Sequence, residues 1–542
     1  MKKMLQKSLP FLVLVGAVGF VGSLLTSLMN LQMMYLMDFA LAGETDKLLN
    51  ISKIIIVLLV LTIPTNILKV VTKTQYTKKT MLHLKSYYLE KLFKKDINEF
   101  QEENNGLYLS NLTNDMESIE QKYTLTMVDL VLGIIDFVLA LVLVAYVQPW
   151  ILLIAIGLAG AMVGLSTLLG KPLQKPEKEK SKRLIRYTEY IREILAAFPI
   201  IKNNNLEQKI TDNFVDYSKS VQDQNYAIDV KSTHIGAFQS AVIFSILIGG
   251  LAIVIHLSTQ GNFLSAGGVI LIFQSFGRIA GPIFQLTEIT PKLTSVNLLF
   301  KEMDKVLENK NPHIETLSLS DINQGLTLFN VSYDYGDNLV FKDVNLTFEV
   351  GKKYLIIGPS GQGKSTLLKL LRKYFSPTSG SISVDSQDFV DTKKMDFFSQ
   401  LANIEQQVFL FEDTLRNNIT LYKDYSEQEI LNAIEQGGLK DVISEFSGGL
   451  DHVIVDNGKN VSGGQKARIA IARGLITKAK IILLDEAFAS LDETVAKQIE
   501  QTLLHLDDVM VINVSHVIFK ESLEQYDEVF VVNHQQVLPY LR

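Results

Sequence analysis

A chain of 542 residues is too long for one hydrophobic core, and 47% hydrophobic beside 20% charged residues points to an apolar membrane part joined to an ordinary globular part. With no cysteine, disulfides, thiolate metal sites and cysteine nucleophiles are excluded, and a net charge of −6 gives no sign of nucleic acid as a partner. The eight histidines are scattered without metal-ligand spacing.

Crossing a bilayer takes about 20 apolar residues of helix. Six stretches qualify, near 11–41, 48–70, 124–147, 150–170, 235–257 and 264–288. The first follows Met1-Lys2-Lys3, yet its apolar run is too long for a cleaved secretory signal and no small-residue cleavage site follows it. Lysines crowd the connection between spans two and three (Lys69, Lys73, Lys78, Lys79, Lys85, Lys91, Lys94, Lys95). Lysines and arginines likewise follow span four (Lys171, Lys175, Lys178, Lys180, Lys182, Arg183, Arg186). The other connections, GETDK, QP and STQGN, are short and nearly free of positive charge. Cytoplasmic loops carry the excess of Lys and Arg, so a multi-pass protein of the cell membrane is expected, with both termini and both long loops cytoplasmic. Those loops read as polar helix, as if spans two to five run on beyond the bilayer.

Three polar groups interrupt the spans: Asp136 in LGIIDFVLALVLV, and Gln274 and Arg278 in LIFQSFGRIAGP. An ionised group at the centre of a spanning helix costs about 2.5–3.5 kcal/mol on insertion scales, so these should face the bundle interior or a wet cavity. Two readings stay open: a translocation cavity lined by all three, with Asp136 paired to Arg278, or an ion pair that fixes helix packing. Pro64 and Pro282, each in an apolar run, read as kinks.

Near Asn309–Pro312 the pattern changes to strands alternating with helices, the mark of a mostly parallel α/β domain. KKYLIIGPSGQGKSTLLKLL reads as strand, glycine loop, helix, which is the context that makes a G-x-x-x-x-G-K-[ST] match a phosphate site. The loop is Gly358, Pro359, Ser360, Gly361, Gln362, Gly363, Lys364, Ser365 and Thr366. Glycines let backbone N–H groups converge on phosphate, Lys364 should reach the β- and γ-phosphates of ATP, and Ser365 should ligate Mg²⁺. In KIILLDEAFASLDE an apolar run fit for a buried parallel strand ends in two carboxylates. Asp485 is then placed to hold Mg²⁺ and Glu486 to polarise a water, because ligands gather at the carboxyl ends of such strands.

A second glycine cradle, NVSGGQKAR, precedes that strand. VSGGQKARIAIARGLITKAKIILLDE resembles the signature segment of ABC transporters followed by their Walker B strand. The resemblance extends into the membrane half: FQEENNGLYLSNLTNDMESIE is similar to the first intracellular loop of ABC exporters, and FPIIKNNNLEQKITDNF to the second. The family places a coupling helix in each loop; read alone, either segment is equally a solvated amphipathic helix. The resemblance implies an α-helical six-span transmembrane domain over residues 1–310, with two long cytoplasmic loops, followed by an α/β P-loop nucleotide-binding domain over 311–542. It implies that Ser462, Gly463, Gly464 and Gln465 close on ATP held by the P-loop of a second copy. The alternative, an unrelated helix start with Ser462 as N-cap, leaves the following Walker B segment unexplained.

Further positions follow from the same resemblance. In VSYDYGDNLVFKDVNLTF, Tyr335 matches the aromatic that stacks on adenine, although Tyr333 and Tyr335 share a strand face and a core role for either stays open. In IEQQVFLFEDTLRNNI, Gln406 matches the Q-loop glutamine at Mg²⁺; in ASLD, Asp492 acts across the interface; in VINVSH, His516 is the switch histidine. The chain departs from the pattern at Val461 (usually leucine), at Val517 (commonly arginine) and in a C-terminus short of the usual final helices. These departures suggest a specialised member such as one half of a heterodimer. The expectation is a dimeric half-transporter in the lipid bilayer that hydrolyses ATP with Mg²⁺ to export an unidentified substrate, homodimer or heterodimer left open. An ABC membrane protein acting as regulator, channel or importer is the alternative. No peptidase domain precedes the first span, so processing of an exported peptide by the chain itself is not expected.

Overall fold

The computed structural model describes residues 2–103, 105–170, 174–261, 264–310, 313–336, 338–516 and 518–540. Lys171, Asn311, Pro312 and Val517, considered above from the sequence, lie outside these. The chain forms two compact units, one of Met1–Lys95 and Gln101–Glu308, the other of Asp96–Phe100 and Asn309–Arg542.

The first unit is helical. Among the described residues five helices are long and apolar enough to cross a membrane, Gln6–Ala42, Thr45–Leu92, Asn105–Val147, Glu207–His256 and Ala266–Ile283, and Ile151–Gly164 is a shorter apolar helix. Each expected span falls on one of them. Helix Thr45–Leu92 has 48 residues and helix Glu207–Gly261 has 55. At 1.5 Å per residue these are about 72 and 82 Å long, more than twice the roughly 30 Å of hydrocarbon, so each runs far past it. Pro64, expected to mark a kink, lies inside the Thr45–Leu92 helix, which is continuous through it.

Helix ends in this unit are set by local chemistry. Gly43 closes the first long helix in the left-handed region at φ 74°. Asp38, one turn earlier, accepts from the Gly267 N–H at 2.8 Å and the Ser265 hydroxyl at 2.7 Å. A carboxylate thus sits on the N-terminus of helix Ala266–Leu307, where the helix dipole favours it. A Cβ on Gly267 would lie 2.2 Å from the Met34 carbonyl oxygen, so only glycine allows this approach.

The charged groups in the spans do meet. Arg278 Nη2 lies 3.0 Å from Asp136 Oδ1, and the guanidinium also donates to the Ser27 hydroxyl at 2.8 Å and the Ser23 hydroxyl at 2.6 Å. The Ser23 hydroxyl donates in turn to Asp136. One ion pair with two serines therefore ties three helices together, which offsets the insertion cost of both charges. Asp136 and Arg278 also line a cavity of about 330 Å³ with Lys69, Asp129 and Gln285. Among the described residues Gln274 is not one that lines it, and its buried amide oxygen has no hydrogen-bond partner there.

The second unit is α/β. Its strands are β1 (Gly325–Tyr335), β2 (Asn338–Glu349), β3 (Lys353–Ile357), β4 (Ser379–Val384), β5 (Gln387–Asp388), β6 (Leu401–Ile404), β7 (Ile481–Asp485), β8 (Met510–Val514), β9 (Glu528–Asn533) and β10 (Gln536–Pro539). They form an antiparallel sheet, β2-β1-β4-β5, and a six-stranded sheet, β10-β9-β3-β8-β7-β6, parallel except for β10. The apolar runs of β3, β7 and β8 are buried on both faces, as parallel strands covered by helices require. A core cluster including Phe341, Phe348, Tyr354, Leu367 and Phe530 packs the two sheets and the P-loop helix Lys364–Leu371 together. The short stretch Asp96–Phe100 is held here by Lys394 on Asp96 and by the Glu99 carboxylate, which accepts from the Lys310 N–H at 2.8 Å.

Asp136→Asn keeps the shape of the membrane cluster and removes its negative charge. It should lower the melting temperature of the purified protein, with a cost of about 1.5–3 kcal/mol for a hydrogen bond to a charged group, and leave transport running. Unchanged melting with lost transport would assign the pair to a translocation path instead.

Candidate functional site

In the six-stranded sheet β3, β8, β7 and β6 lie side by side and parallel, so their carboxyl ends open on one edge. The loop after β3 is Gly358–Thr366, β6 leads into Glu405 and Gln406, β7 ends on Asp485 before Glu486, and β8 leads to His516. Four segments scattered through the sequence are thus gathered by sheet order alone.

The P-loop backbone needs its glycines at two points. Gly358 has φ 152° and a Cβ there would sit 2.4 Å from the Val532 carbonyl oxygen. Gly363, at φ 106°, would drive a Cβ to 2.7 Å from Val340 Cγ1. Lys364 Nζ donates to the carbonyls of Gly358 at 2.8 Å and Pro359 at 3.0 Å, so its ammonium lies across the loop. Burial pushes the Lys364 pKa down, against the pull of the Glu486 and Asp485 carboxylates. Pro359, Ser360, Gly361 and Ser365 are exposed, Thr366 is buried, and Gln362 accepts from the His534 N–H at 3.1 Å.

Glu486 is the meeting point of the polar groups. Gln406 Nε2 donates to its Oε2 at 2.6 Å, and His516 Nε2 lies 3.2 Å from its Oε1. Its backbone is in the left-handed region at φ 49°, a conformation that costs a non-glycine residue about 1–2 kcal/mol and is typical of functional turns. Asp485, at the end of β7, is mostly buried, and burial raises its pKa while nearby Arg372 opposes the rise.

Tyr333 and Tyr335 part company. Register shifts flank Tyr333, breaking the alternation along β1. Tyr333 is buried and stacks on Phe375 with centroids 5.3 Å apart, whereas Tyr335 is 47% exposed, edge-on to both rings, its hydroxyl 3.4 Å from Thr366 Oγ1.

The second cradle is a helix start. Ser462 caps helix Gly463–Leu475: its hydroxyl accepts from the Gln465 N–H at 3.2 Å, and Gln465 Oε1 accepts from the Ser462 N–H at 2.8 Å. Gly464 runs close to the next loop, where a Cβ would meet the Ser490 carbonyl oxygen at 3.1 Å. Asp492 is exposed and starts helix Glu493–Leu504 without a side-chain cap. Among the described residues no hydrogen bond or ion pair joins Ser462–Gln465 to Gly358–Thr366. The sequence reading missed Arg372 and Glu405: Arg372 Nη1 lies 3.6 Å from Asp485 Oδ2 and 3.9 Å from Glu405 Oε1. A lone arginine at the end of a helix carries no signal in the sequence.

Comparison with known proteins decides the family. Residues 12–283 match the family model for the ABC transporter transmembrane region, and residues 341–489 match that for the ABC transporter. The chain is an ABC transporter. It resembles the ATP-dependent lipid A-core flippase of Francisella tularensis subsp. holarctica, 25% identical over 451 residues that cover 81% of this chain and 73% of that one. The flippase of the same name from Pectobacterium atrosepticum is 26% identical over 449 residues, 81% of this chain and 76% of that one. A bacterial Atm1-family ABC exporter solved with ATP bound shares the fold, with a TM-score of 0.84 at 19% identity over 98% of this chain and 94% of that one. This transporter is therefore a multi-pass membrane protein of exporter fold that binds ATP and couples its hydrolysis to transport.

Gly358→Ala should lower the affinity of the purified transporter for ATP at least tenfold and destabilise the loop by about 1–3 kcal/mol, because the new Cβ meets backbone rather than a flexible side chain. Equilibrium binding of a fluorescent ATP analogue and thermal melting read the two effects.

Proposed function

We propose that this ABC transporter works as a dimer of half-transporters, homodimeric or heterodimeric, with nucleotide-binding domains head to tail, and that it exports an amphiphilic lipid. Both termini and the two lysine-rich loops would face the cytoplasm, by the distribution of positive charge. The observation that carries the dimer is the second cradle. Its side chains cap their own helix, its two glycines lie at the helix start, and among the described residues no hydrogen bond or ion pair joins it to the P-loop. A helix N-terminus of this kind suits a phosphate, which a second copy would bring. The flippase relatives support a lipid as the first substrate class to test.

The residues present fit the chemistry. Ser365, Gln406 and Asp485 offer a hydroxyl, an amide oxygen and a carboxylate, the hard oxygen donors that suit Mg²⁺ shared with phosphate oxygens. Bound there, Mg²⁺ would neutralise charge on the β- and γ-phosphates. Gln406 spends its amide nitrogen on Glu486, which leaves its oxygen for the cation. The P-loop amides and Lys364 would hold the phosphates, Tyr335 would stack on adenine, and Ser462–Gln465 with Asp492 would act from the partner. Glu486, held from both sides by Gln406 and His516, would polarise the attacking water, with His516 keeping it aimed. Moving a two-state equilibrium from 1:99 to 99:1 takes about 5.5 kcal/mol of differential binding, within reach of two ATP molecules that favour the closed dimer.

Glu486→Gln should keep ATP binding and reduce hydrolysis by at least about 100-fold, the scale of a lost general base. Substantial residual turnover would remove Glu486 from this role. Mixing Lys364→Ala protein with protein altered at Gly464 tests the head-to-tail arrangement. Mixed dimers regain one intact composite site only if the signature acts in trans, so ATPase activity should return on co-expression; no recovery would mean that the two motifs of a site come from the same chain. Stimulation of the ATPase by candidate lipids in vesicles, with ATP-dependent flux, tests the substrate class.

A further inference from the structure

Three carboxylates crowd the carboxyl ends of β6 and β7: Glu405, Asp485 and Glu486. The strands pair with Ile404 opposite Leu484, so Glu405 and Asp485 leave the sheet side by side. Like charges so placed repel, and Asp485, its side chain only 14% exposed, is the one least able to shed that repulsion to water, whereas Glu405 is half-exposed. Arg372 answers it. Its side chain is 5% exposed and comes up beneath the strand ends from the far end of the P-loop helix, with Nη1 3.6 Å from Asp485 and 3.9 Å from Glu405. Asn403 Nδ2 donates to the same Glu405 oxygen at 2.8 Å. Among the described residues Arg372 Nε and Nη2 have no hydrogen-bond partner, so the buried guanidinium is held there by charge and not by a saturated hydrogen-bond network.

We propose that Arg372 is a positioning residue for the metal end of the ATP site, its charge holding Asp485 in place for Mg²⁺ while tethering Glu405, the residue before Gln406. This rests on the reading of Asp485 and Gln406 as metal ligands. One cation bridges the ends of two strands, so the two groups that meet the metal keep a fixed spacing whether or not it is bound. Outer partners of metal ligands are typically worth 10–100-fold in metal affinity. Because both contacts are longer than hydrogen bonds, charge rather than the shape of the guanidinium should matter, and lysine should substitute.

The test uses the full-length transporter at saturating ATP, with Mn²⁺ as the metal probe read by the paramagnetic resonance of the immobilised ion. ATP-analogue binding in EDTA is measured alongside. Arg372→Met should weaken Mn²⁺ binding about tenfold or more and leave nucleotide binding in EDTA unchanged, and Arg372→Lys should restore most of the loss. Arg372→Gln, uncharged but polar, serves the same end if the methionine variant fails to fold. Wild-type Mn²⁺ affinity in the uncharged variant would overturn the proposal, as would equal damage by lysine or a parallel loss of binding in EDTA, the marks of a merely structural arginine. Asp485→Asn is the control: full Mn²⁺ affinity there would instead overturn Asp485 as ligand.

Discussion

The chemistry of this transporter depends on holding negative charges close together without letting them push the fold apart. In the proposed reading ATP would bring several more, and the site that would receive it already carries Glu405, Asp485 and Glu486 at the ends of neighbouring parallel strands. The sheet tolerates this because β7 and its neighbour β8 are apolar and buried on both faces, which holds the end of β7 in place. Cations then enter from the P-loop helix, Lys364 at its start and Arg372 at its end. One helix thus supplies positive charge at two depths, and its dipole adds to the effect at the start where phosphate is expected.

The membrane half solves the same problem in miniature. Arg278 and Asp136 neutralise each other, and the serines of a third helix complete the hydrogen bonds that the pair leaves open. Removing one partner would strand the other charge in an apolar bundle, so the cluster acts as a bolt between helices. Its position on the wall of a cavity that also holds Lys69, Asp129 and Gln285 gives the bolt a polar, accessible side. Packing and a place on that wall are compatible roles for one ion pair.

Local patterns were legible in the sequence because their physics is local. Hydropathy marks the spans, since each must satisfy its backbone within itself. The glycines of the P-loop announce positive φ, which occurs at Gly358 and Gly363, and close backbone approach, which occurs at Gly358. The carboxylates after an apolar run mark a strand end. What stayed hidden depends on distant partners. Ser23 and Ser27 look like any helix hydroxyls until Arg278 is seen beside them. Asp96–Phe100 packs with the second unit through Lys394 and Lys310, which no local pattern reveals. Tyr333 and Tyr335 were inseparable by their two-residue period, and only the register shifts in β1 bury one and expose the other.

The two glycine cradles differ in how they meet their own chain, and that difference bears on why one polypeptide has both. The P-loop is closed upon itself: Lys364 crosses it, Gln362 ties it to the turn before β10, Gly358 presses against the Val532 backbone and Gly363 against the Val340 and Phe341 side chains. Such a loop has its shape fixed by its own chain. The signature start is finished on one side only, where the capping box and the Ser490 carbonyl fix its outline, while Ser462 and Gly463 remain exposed. A capping box organises the first turn of a helix without neutralising its dipole. The start is therefore rigid and carries partial positive charge. In the proposed dimer that rigid start would meet a phosphate carried by the other copy, and the shape fixed in advance would keep the entropic loss on closure small.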